Sequence, residues 1–359
     1  MSEVLDIGQL ASALWWQARE LRAHCVRPLV STNRMKSEPT VWRLEAANGA
    51  RVAAKHWPDE ERFRVERAVL EALAEDPTVS APRPICFDTE RRIGLLEWCG
   101  DASLPDCLVT LTTQAGMRLL AKAMQALVGL ERWVVQHQPF LQTLAVPYSP
   151  VSHRDPAADL CRAFVGVRAW RGSGACSPPA LRRVRQAAEG IARIEAAQAV
   201  RWGVDDLLLS NVVVDVPSTR TTLVDFEWVG AGTFAGAVAV FACELEPPPG
   251  RHALSVLDEG LLGVLERGGG HEFLARPDGV DAAQVLDCST LVCRWLFIRY
   301  LLRLVSDGTT DSARKAADTY GPASGRLHAA LLRYAETPLL SQLGPASEFR
   351  SLFLEHIAL

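Results

Sequence analysis

The stretch from Asn211 to Asp225 constrains the fold of this chain more than any other. Val212-Val213-Val214-Asp215-Val216 and Thr222-Leu223-Val224 are short runs rich in β-branched residues on either side of a turn at Pro217 to Arg220, the pattern of a hairpin. A hairpin returns the chain on itself, so Asn211 at its entry and Asp225 at its exit come to lie side by side. One amide oxygen and one carboxylate suit magnesium, which takes few protein ligands and completes an octahedron with phosphate oxygens and water. Asp206 stands five residues before Asn211, with only apolar residues and Ser210 between them. From there it would accept or orient the proton of a hydroxyl. The plainer reading has Asp205 and Asp206 capping a turn and Asp225 capping the next helix.

Upstream, Val52-Ala53-Ala54-Lys55 reads as a strand ending in a cation, and Glu66 follows 11 residues later in a helical stretch. Phosphoryl transfer asks little covalent chemistry of a protein. It needs a cation for the ATP phosphates, oxygen ligands for magnesium and a carboxylate beside the acceptor. In a site of that kind Lys55 holds phosphate oxygens and Glu66 pairs with it, which also offsets the cost of drawing a charged Lys into a cleft. Singly, each is an ordinary surface residue; the order strand, Lys, helix, Glu, then hairpin gives them meaning.

The elements around these residues follow from pattern. Leu10 to Leu21 has helical apolar spacing. Cys25 to Val30, Val41 to Ala46 and Arg51 to Trp57 read as strands, the last two joined by a turn at Asn48-Gly49. Asp59 to Glu75 reads as a helix, Ile85 to Asp88 and Ile93 to Glu97 as two more strands, with a break and hinge near 97 to 102. Thereafter helical patterns dominate, at Thr113 to Gln136, Pro179 to Val200, Val280 to Leu304 and from Ser312 onward, interrupted by the one β island of the hairpin. Connectors are expected at Pro139 to Pro156, Arg171 to Pro179, Glu246 to Gly250 and Gly268 to Gly270.

Composition excludes several alternatives. A formal charge of -4 gives no general reason to expect nucleic acid or an anionic membrane as partner. The acidic start Met1 to Asp6 carries no secretion signal, and the longest weakly polar run, Val229 to Leu245, is shorter than the roughly 20 apolar residues of a membrane helix. A cytoplasmic protein is expected. Nine cysteines without a C-x-x-C pair fit neither a disulfide framework nor a structural zinc site, so free, mostly buried thiols are expected.

In the order Lys55, Glu66, Asp206 with Asn211, and Val224-Asp225-Phe226-Glu227, the chain resembles the aminoglycoside phosphotransferase and choline kinase-like family. The resemblance spans roughly residues 25 to 300 in element order. It implies an α+β, bilobal protein-kinase-like fold: an N-terminal nucleotide-binding lobe over 1–98, an antiparallel sheet with one main helix, and a larger, mainly helical catalytic and acceptor-binding lobe over 99–359. It further implies ATP and Mg2+ as cofactors, Asp206 as the catalytic carboxylate, and Asn211 and Asp225 as metal ligands. Lys55 and Glu66 would serve the nucleotide, and Glu97 and Trp98 in Leu95-Leu96-Glu97-Trp98 would form the hinge whose backbone bonds adenine. Val204-Asp205 stands where the family has His-Gly, which leaves Asp205 as an alternative to Asp206. The phosphate-covering segment Ser31 to Thr40 has no glycine, so Ser31, Thr32 or Asn33 would make that contact. Ala237 occupies a position where the family often has another Asp.

The expected activity is transfer of phosphate from ATP to a hydroxyl of a natural-product or antibiotic-type small molecule. Between Arg154 and Arg201 nine arginines face four acids, a local excess of 9 - 4 = +5. A polycationic aminoglycoside calls for the opposite potential. The segment suits a neutral or anionic metabolite, or an acidic precursor peptide phosphorylated on Ser or Thr ahead of a partner lyase, unless its arginines simply cover apolar surface with their stems. Arg294, Arg299 and Arg303 read as one side of a helix, and His153 and His252 as structural or solvated. The lost His-Gly and the glycine-free loop also admit a pseudokinase that binds and transfers nothing.

Overall fold

Strand register and one capped helix place the first expected site residues. In the computed structural model five strands form an antiparallel sheet, β1 (Ala23–Pro28), β2 (Val41–Ala46), β3 (Arg51–His56), β4 (Pro84–Asp88) and β5 (Ile93–Glu97), in the order β1-β2-β3-β5-β4. The structure describes residues 23–28, 41–46, 49–144, 155–174, 176–204, 206–244, 259–307, 314, 317–318 and 321–357. The helix expected over Leu10 to Leu21 lies outside these residues, as do Ser31, Thr32, Asn33, His153, Asp205 and His252.

The register sets Lys55 opposite Gly94 and Val52 opposite Glu97. Gly94 is required by close approach: a Cβ there would come within 2.8 Å of the Phe87 ring and 2.9 Å of Trp57. Leu44, Val52, Ala54 and Leu95 form a buried cluster on the sheet. Helix α1 (Glu60–Leu73) starts where Asp59 accepts a hydrogen bond from the Arg62 amide, with Glu60 and Glu61 in the first turn, where acids suit the helix dipole. Its apolar face, Phe63, Val65, Val69, Leu70 and Leu73, is buried, and Glu66 lies on that same face.

Two compact units result, Met1–Ser149 with Trp202–Gly230, and Pro150–Arg201 with Ala231–Leu359. Beyond the sheet, the first unit holds β6 (Ala102–Ser103), α2 (Leu104–Thr110), α3 (Thr113–Gln136) and α4 (Gln138–Leu144). The hairpin is β8 (Val212–Asp215) with β9 (Arg220–Leu223), extended by β6 in the order β6-β8-β9, and strands β7 (Arg201–Val204) and β10 (Val229–Gly232) flank it in sequence. Gly100 makes the turn into β6. At φ +149° it adopts a conformation that side chains rarely take, and a Cβ would stand 2.2 Å from the Val214 carbonyl oxygen.

The second unit is helical: α5 (Pro156–Trp170), α6 (Pro178–Ala196), α7 (Phe234–Ala242), α8 (Glu259–Arg267), α9 (Ala282–Ser306), α10 (Ala323–Glu336) and α11 (Pro345–His356). Its centre is α9, which packs against α5, α6, α7, α10 and α11. Trp295 of α9 meets Phe164, Tyr334, Phe349 and Phe353 in a cluster of aromatic contacts.

The expected antiparallel sheet, main helix and mostly helical remainder are observed. Three local expectations fail. The hairpin is not the one β island, since β7 pairs with β10 in a separate two-stranded sheet. The connector expected from Pro139 is helical to Leu144, and Pro156, expected to close it, instead opens α5. Proline is tolerated in the first helical turn, where its missing N–H costs nothing, and Asp155 caps that turn through the Ala158 amide at 2.9 Å. Among the described residues no helix is long and apolar enough to cross a membrane, and the eight cysteines whose side chains are described are free thiols.

Candidate active site

The first unit brings Lys55, Glu66 and Asp225 together although they are up to 170 residues apart in sequence. Lys55 Nζ donates to Glu66 Oε2 at 2.6 Å and to Asp225 Oδ1 at 2.5 Å. Glu227 Oε2 stands 3.8 Å from the same nitrogen. Lys55 is 7% exposed and Glu66 2%. Burial opposes the charged form of Lys55, but Asp225, Glu66 and Glu227 together outweigh it and raise its pKa above the usual lysine value. Burial likewise pushes the Glu66 carboxyl up, against the pull of Lys55.

Glu66 is fixed on both oxygens. Oε2 also accepts from the Trp57 indole at 2.6 Å, and Oε1 accepts from the Phe226 amide at 3.3 Å. Through Phe226 the helix carboxylate is thus bound to the backbone beside Asp225. Arg62, one turn before Glu66, donates to Glu227 Oε1 at 3.1 Å and lies over the Trp228 ring at 4.3 Å from its centroid. Trp57, Arg62 and Glu227 were not among the site residues expected from sequence. Glu227 stood inside the quoted Val224-Asp225-Phe226-Glu227 run, and Arg62 sits at helical spacing from Glu66 on α1. Trp57 had no signal beyond ending the strand expected over Arg51 to Trp57, and it follows β3 directly.

The hairpin base places the other half. The Val224 amide donates to the Asn211 carbonyl at 2.9 Å, which sets Asn211 one residue from Asp225 across the hairpin, as its sequence pattern predicts. Asn211 Nδ2 donates to the Asp206 carbonyl at 2.9 Å, closing the loop over a single 3₁₀ turn, Leu209–Asn211. With its nitrogen so engaged, the amide presents its oxygen elsewhere. Asp206 and Asp225 both take left-handed backbone conformations, φ 62° and 70°. Such residues cost about 1–3 kcal/mol each and persist only where the surroundings over-determine them.

An oxygen donor set therefore exists for a hard divalent cation. Glu66, Asp225 and Glu227 offer carboxylate oxygens all within 4.8 Å of one another and could hold such an ion. Of the three carboxylates Asp225 has the most solvent access, its side chain 31% exposed against 2% and 4% for Glu66 and Glu227.

Glu97 ends β5, and its side chain, 31% exposed, is held on both oxygens. Oε1 accepts from Arg220 Nη1 at 2.7 Å, Oε2 from Arg220 Nη2 at 3.4 Å and from the Arg83 amide at 3.3 Å. Burial would raise the Glu97 pKa, but these donors, Arg220 foremost, hold it below the ordinary value. Trp98 follows with its ring 5.9 Å from the Arg43 guanidinium, and its buried indole N–H has no partner among the described residues. Asp101 ties the turn after the hinge back to the sheet through Arg43 at 3.1 Å and Arg51 at 3.0 Å.

In the second unit the arginine excess is partly consumed in place. Arg162 and Arg299 both pair with Asp159, Arg183 pairs with Glu348 at 2.8 Å and Glu355 at 3.5 Å, and Arg168 donates to the Gly174 and His356 carbonyls. Arg182, Arg185 and Arg193 remain on the exposed face of α6.

No model of a known protein family matches the chain, and no curated protein matches it in sequence. Solved structures do. The ternary complex of APH(2")-IIa with streptomycin and ATP superposes with a TM-score of 0.50 at 11% identity, over 96% of this chain and 98% of that one. Macrolide 2'-phosphotransferase MphH from Brachybacterium faecium gives 0.49 at 13% identity, over 89% and 98%. Choline kinase LicA from Streptococcus pneumoniae gives 0.43 at 12%, over 89% and 98%. With the streptomycin complex matched over 96% of its length, the chain has the protein-kinase-like fold.

Proposed function

We propose that the protein is an ATP- and Mg2+-dependent phosphotransferase acting on a hydroxyl of a natural-product or antibiotic-type small molecule. One observation carries the reading: Lys55, Glu66 and Asp225, on a strand, a helix and a hairpin exit, meet within 2.6 Å. A surface lysine and two solvated acids would not be drawn to one buried point, because desolvating them is costly unless the assembly has a use.

In this reading Lys55, oriented by Glu66 and Trp57, holds ATP phosphate oxygens, and the hinge at Glu97 and Trp98 receives the adenine on its main chain. Asp225, with Asn211 and Glu227, would hold magnesium, which neutralises charge between the phosphates. Lys55 now donates to Asp225, and phosphate oxygens competing for that lysine would leave the carboxylate available to a metal. Asp206, held by Asn211 at its carbonyl, orients the acceptor hydroxyl and takes its proton. Ser31 and Asn33 are assigned to the phosphates from sequence position.

The fold is shared with a structure that holds streptomycin and ATP, which supports a small-molecule acceptor. The exposed arginines of α6 favour a neutral or anionic one over a polycation. They also support the second reading, an acidic precursor peptide phosphorylated ahead of a lyase. Labelled ATP with panels of macrolides, aminoglycosides, choline and precursor peptides separates these. Label on a small hydroxylated compound is expected, and label on a peptide alone would reject it. A thermal-shift assay comes first: Mg-ATP at 100 times its dissociation constant should stabilise the fold by about 2.7 kcal/mol. Absence of any shift would favour a scaffold without nucleotide chemistry.

A further inference from the structure

Arg220 lies at the start of β9, 123 residues from Glu97 in sequence, yet its guanidinium grips the Glu97 carboxylate with both terminal nitrogens, at 2.7 and 3.4 Å. The same carboxylate accepts from the Arg83 amide, and the Glu97 amide donates back to the Arg83 carbonyl at 2.8 Å. A second set of ties runs alongside: Ser80 Oγ donates to the Thr221 carbonyl at 2.6 Å, and the Leu223 amide to the Ser80 carbonyl at 2.9 Å. The end of β5 is thereby laced to the hairpin whose base carries Asn211 and Asp225. A forked guanidinium fixes orientation as well as distance, which a lone ammonium would not. No step of the proposed reaction requires this pair, and a solubilising surface charge would not need two-point contact with a hinge residue.

We infer that Arg220 is a positioning residue for the nucleotide: by holding Glu97 from the hairpin, it sets the hinge main chain at a fixed reach from the metal-binding end of the same site. The inference rests on the nucleotide reading above. It implies that the adenine and phosphate ends are spaced by one rigid connection inside the first unit, so loosening it weakens nucleotide binding and leaves the acceptor and the chemical step alone.

The test compares wild type, Arg220→Gln, Arg220→Lys and the exchanged pair Arg220→Glu with Glu97→Arg, by steady-state kinetics and by hydrogen exchange of the amides from 94 to 99. A partly exposed ion pair is worth up to about 1 kcal/mol, so Arg220→Gln should raise KM for Mg-ATP by about three- to fivefold, with kcat and the acceptor KM unchanged. Hinge exchange should quicken, Arg220→Lys should fall between, and the exchanged pair should recover part of the affinity. Unchanged KM and unchanged exchange in Arg220→Gln, while wild type binds Mg-ATP, would overturn the clamp alone. Wild type that binds no Mg-ATP would overturn the nucleotide reading and the role given to Arg220 with it. Should Arg220→Gln fail to fold, Arg220→Lys decides by the same KM and exchange measurements, since it keeps the charge and loses only the fork.

Discussion

Lys55 faces three carboxylates, and that imbalance makes it the most consequential single side chain. Replacing it with Met leaves Glu66, Asp225 and Glu227 crowded without their shared cation. Removing one partner of a buried pair costs about 3–5 kcal/mol, so Lys55→Met should melt well below wild type and lose Mg-ATP stabilisation, both read in one thermal-shift series. Asp206→Asn has a different signature. Its amide cannot take a proton, so turnover should fall by about 10²- to 10⁴-fold while Mg-ATP affinity holds. Equal turnover would remove Asp206 from the reaction and direct attention to Asp205. Asp225→Asn should instead abolish the magnesium dependence of nucleotide binding, measured by titrating ATP with and without the metal.

Among the elements, the hinge turn is more sensitive than its exposure suggests. Gly100 combines φ +149° with a 2.2 Å approach of its missing Cβ to the Val214 carbonyl. Gly100→Ala is therefore expected to cost about 2 kcal/mol or more in denaturant unfolding, since both backbone strain and steric displacement act at once. By contrast Asp59→Ala removes only the cap of α1, an expected loss of about 1 kcal/mol. Because α1 carries Glu66, that variant also reports whether fraying the first turn disturbs the Lys55 pair. Strand and helix periodicity made most of these elements legible: α3 falls on Thr113 to Gln136 and β5 on Ile93 to Glu97 as expected. Periodicity missed α5, whose opening Pro156 reads as a break, and α7, whose Gly and Ala residues give no contrast between faces, along with the short α2, α4 and α8.

For the whole molecule, stability responds to pH through a buried acid of the second unit. Asp287 of α9 is 3% exposed, and burial lifts its pKa to about 6, although it accepts the Leu340 amide at 2.9 Å and the Ser341 amide at 2.8 Å. A carboxyl raised in the folded state binds its proton more tightly there than in the unfolded chain. Its contribution is full below the ordinary pKa of 3.8 and is lost as pH rises through about 6. Melting temperatures at pH 4.5 and 7 should therefore fall further for wild type than for Asp287→Asn, whose side chain does not titrate.

The order of strand lysine, helix glutamate, Asp206 with Asn211 and Asp225 was readable in the chain, as were the antiparallel sheet and the juxtaposition at the hairpin base. Those follow from local rules, because register, helical spacing and turn chemistry are written in neighbouring residues. Trp57 on Glu66, Arg62 on Glu227 and Arg220 on Glu97 were decided by tertiary structure alone. Each joins segments whose proximity depends on how sheet, helix and hairpin stack, and no periodicity within a segment encodes which distant side chain will share its burial.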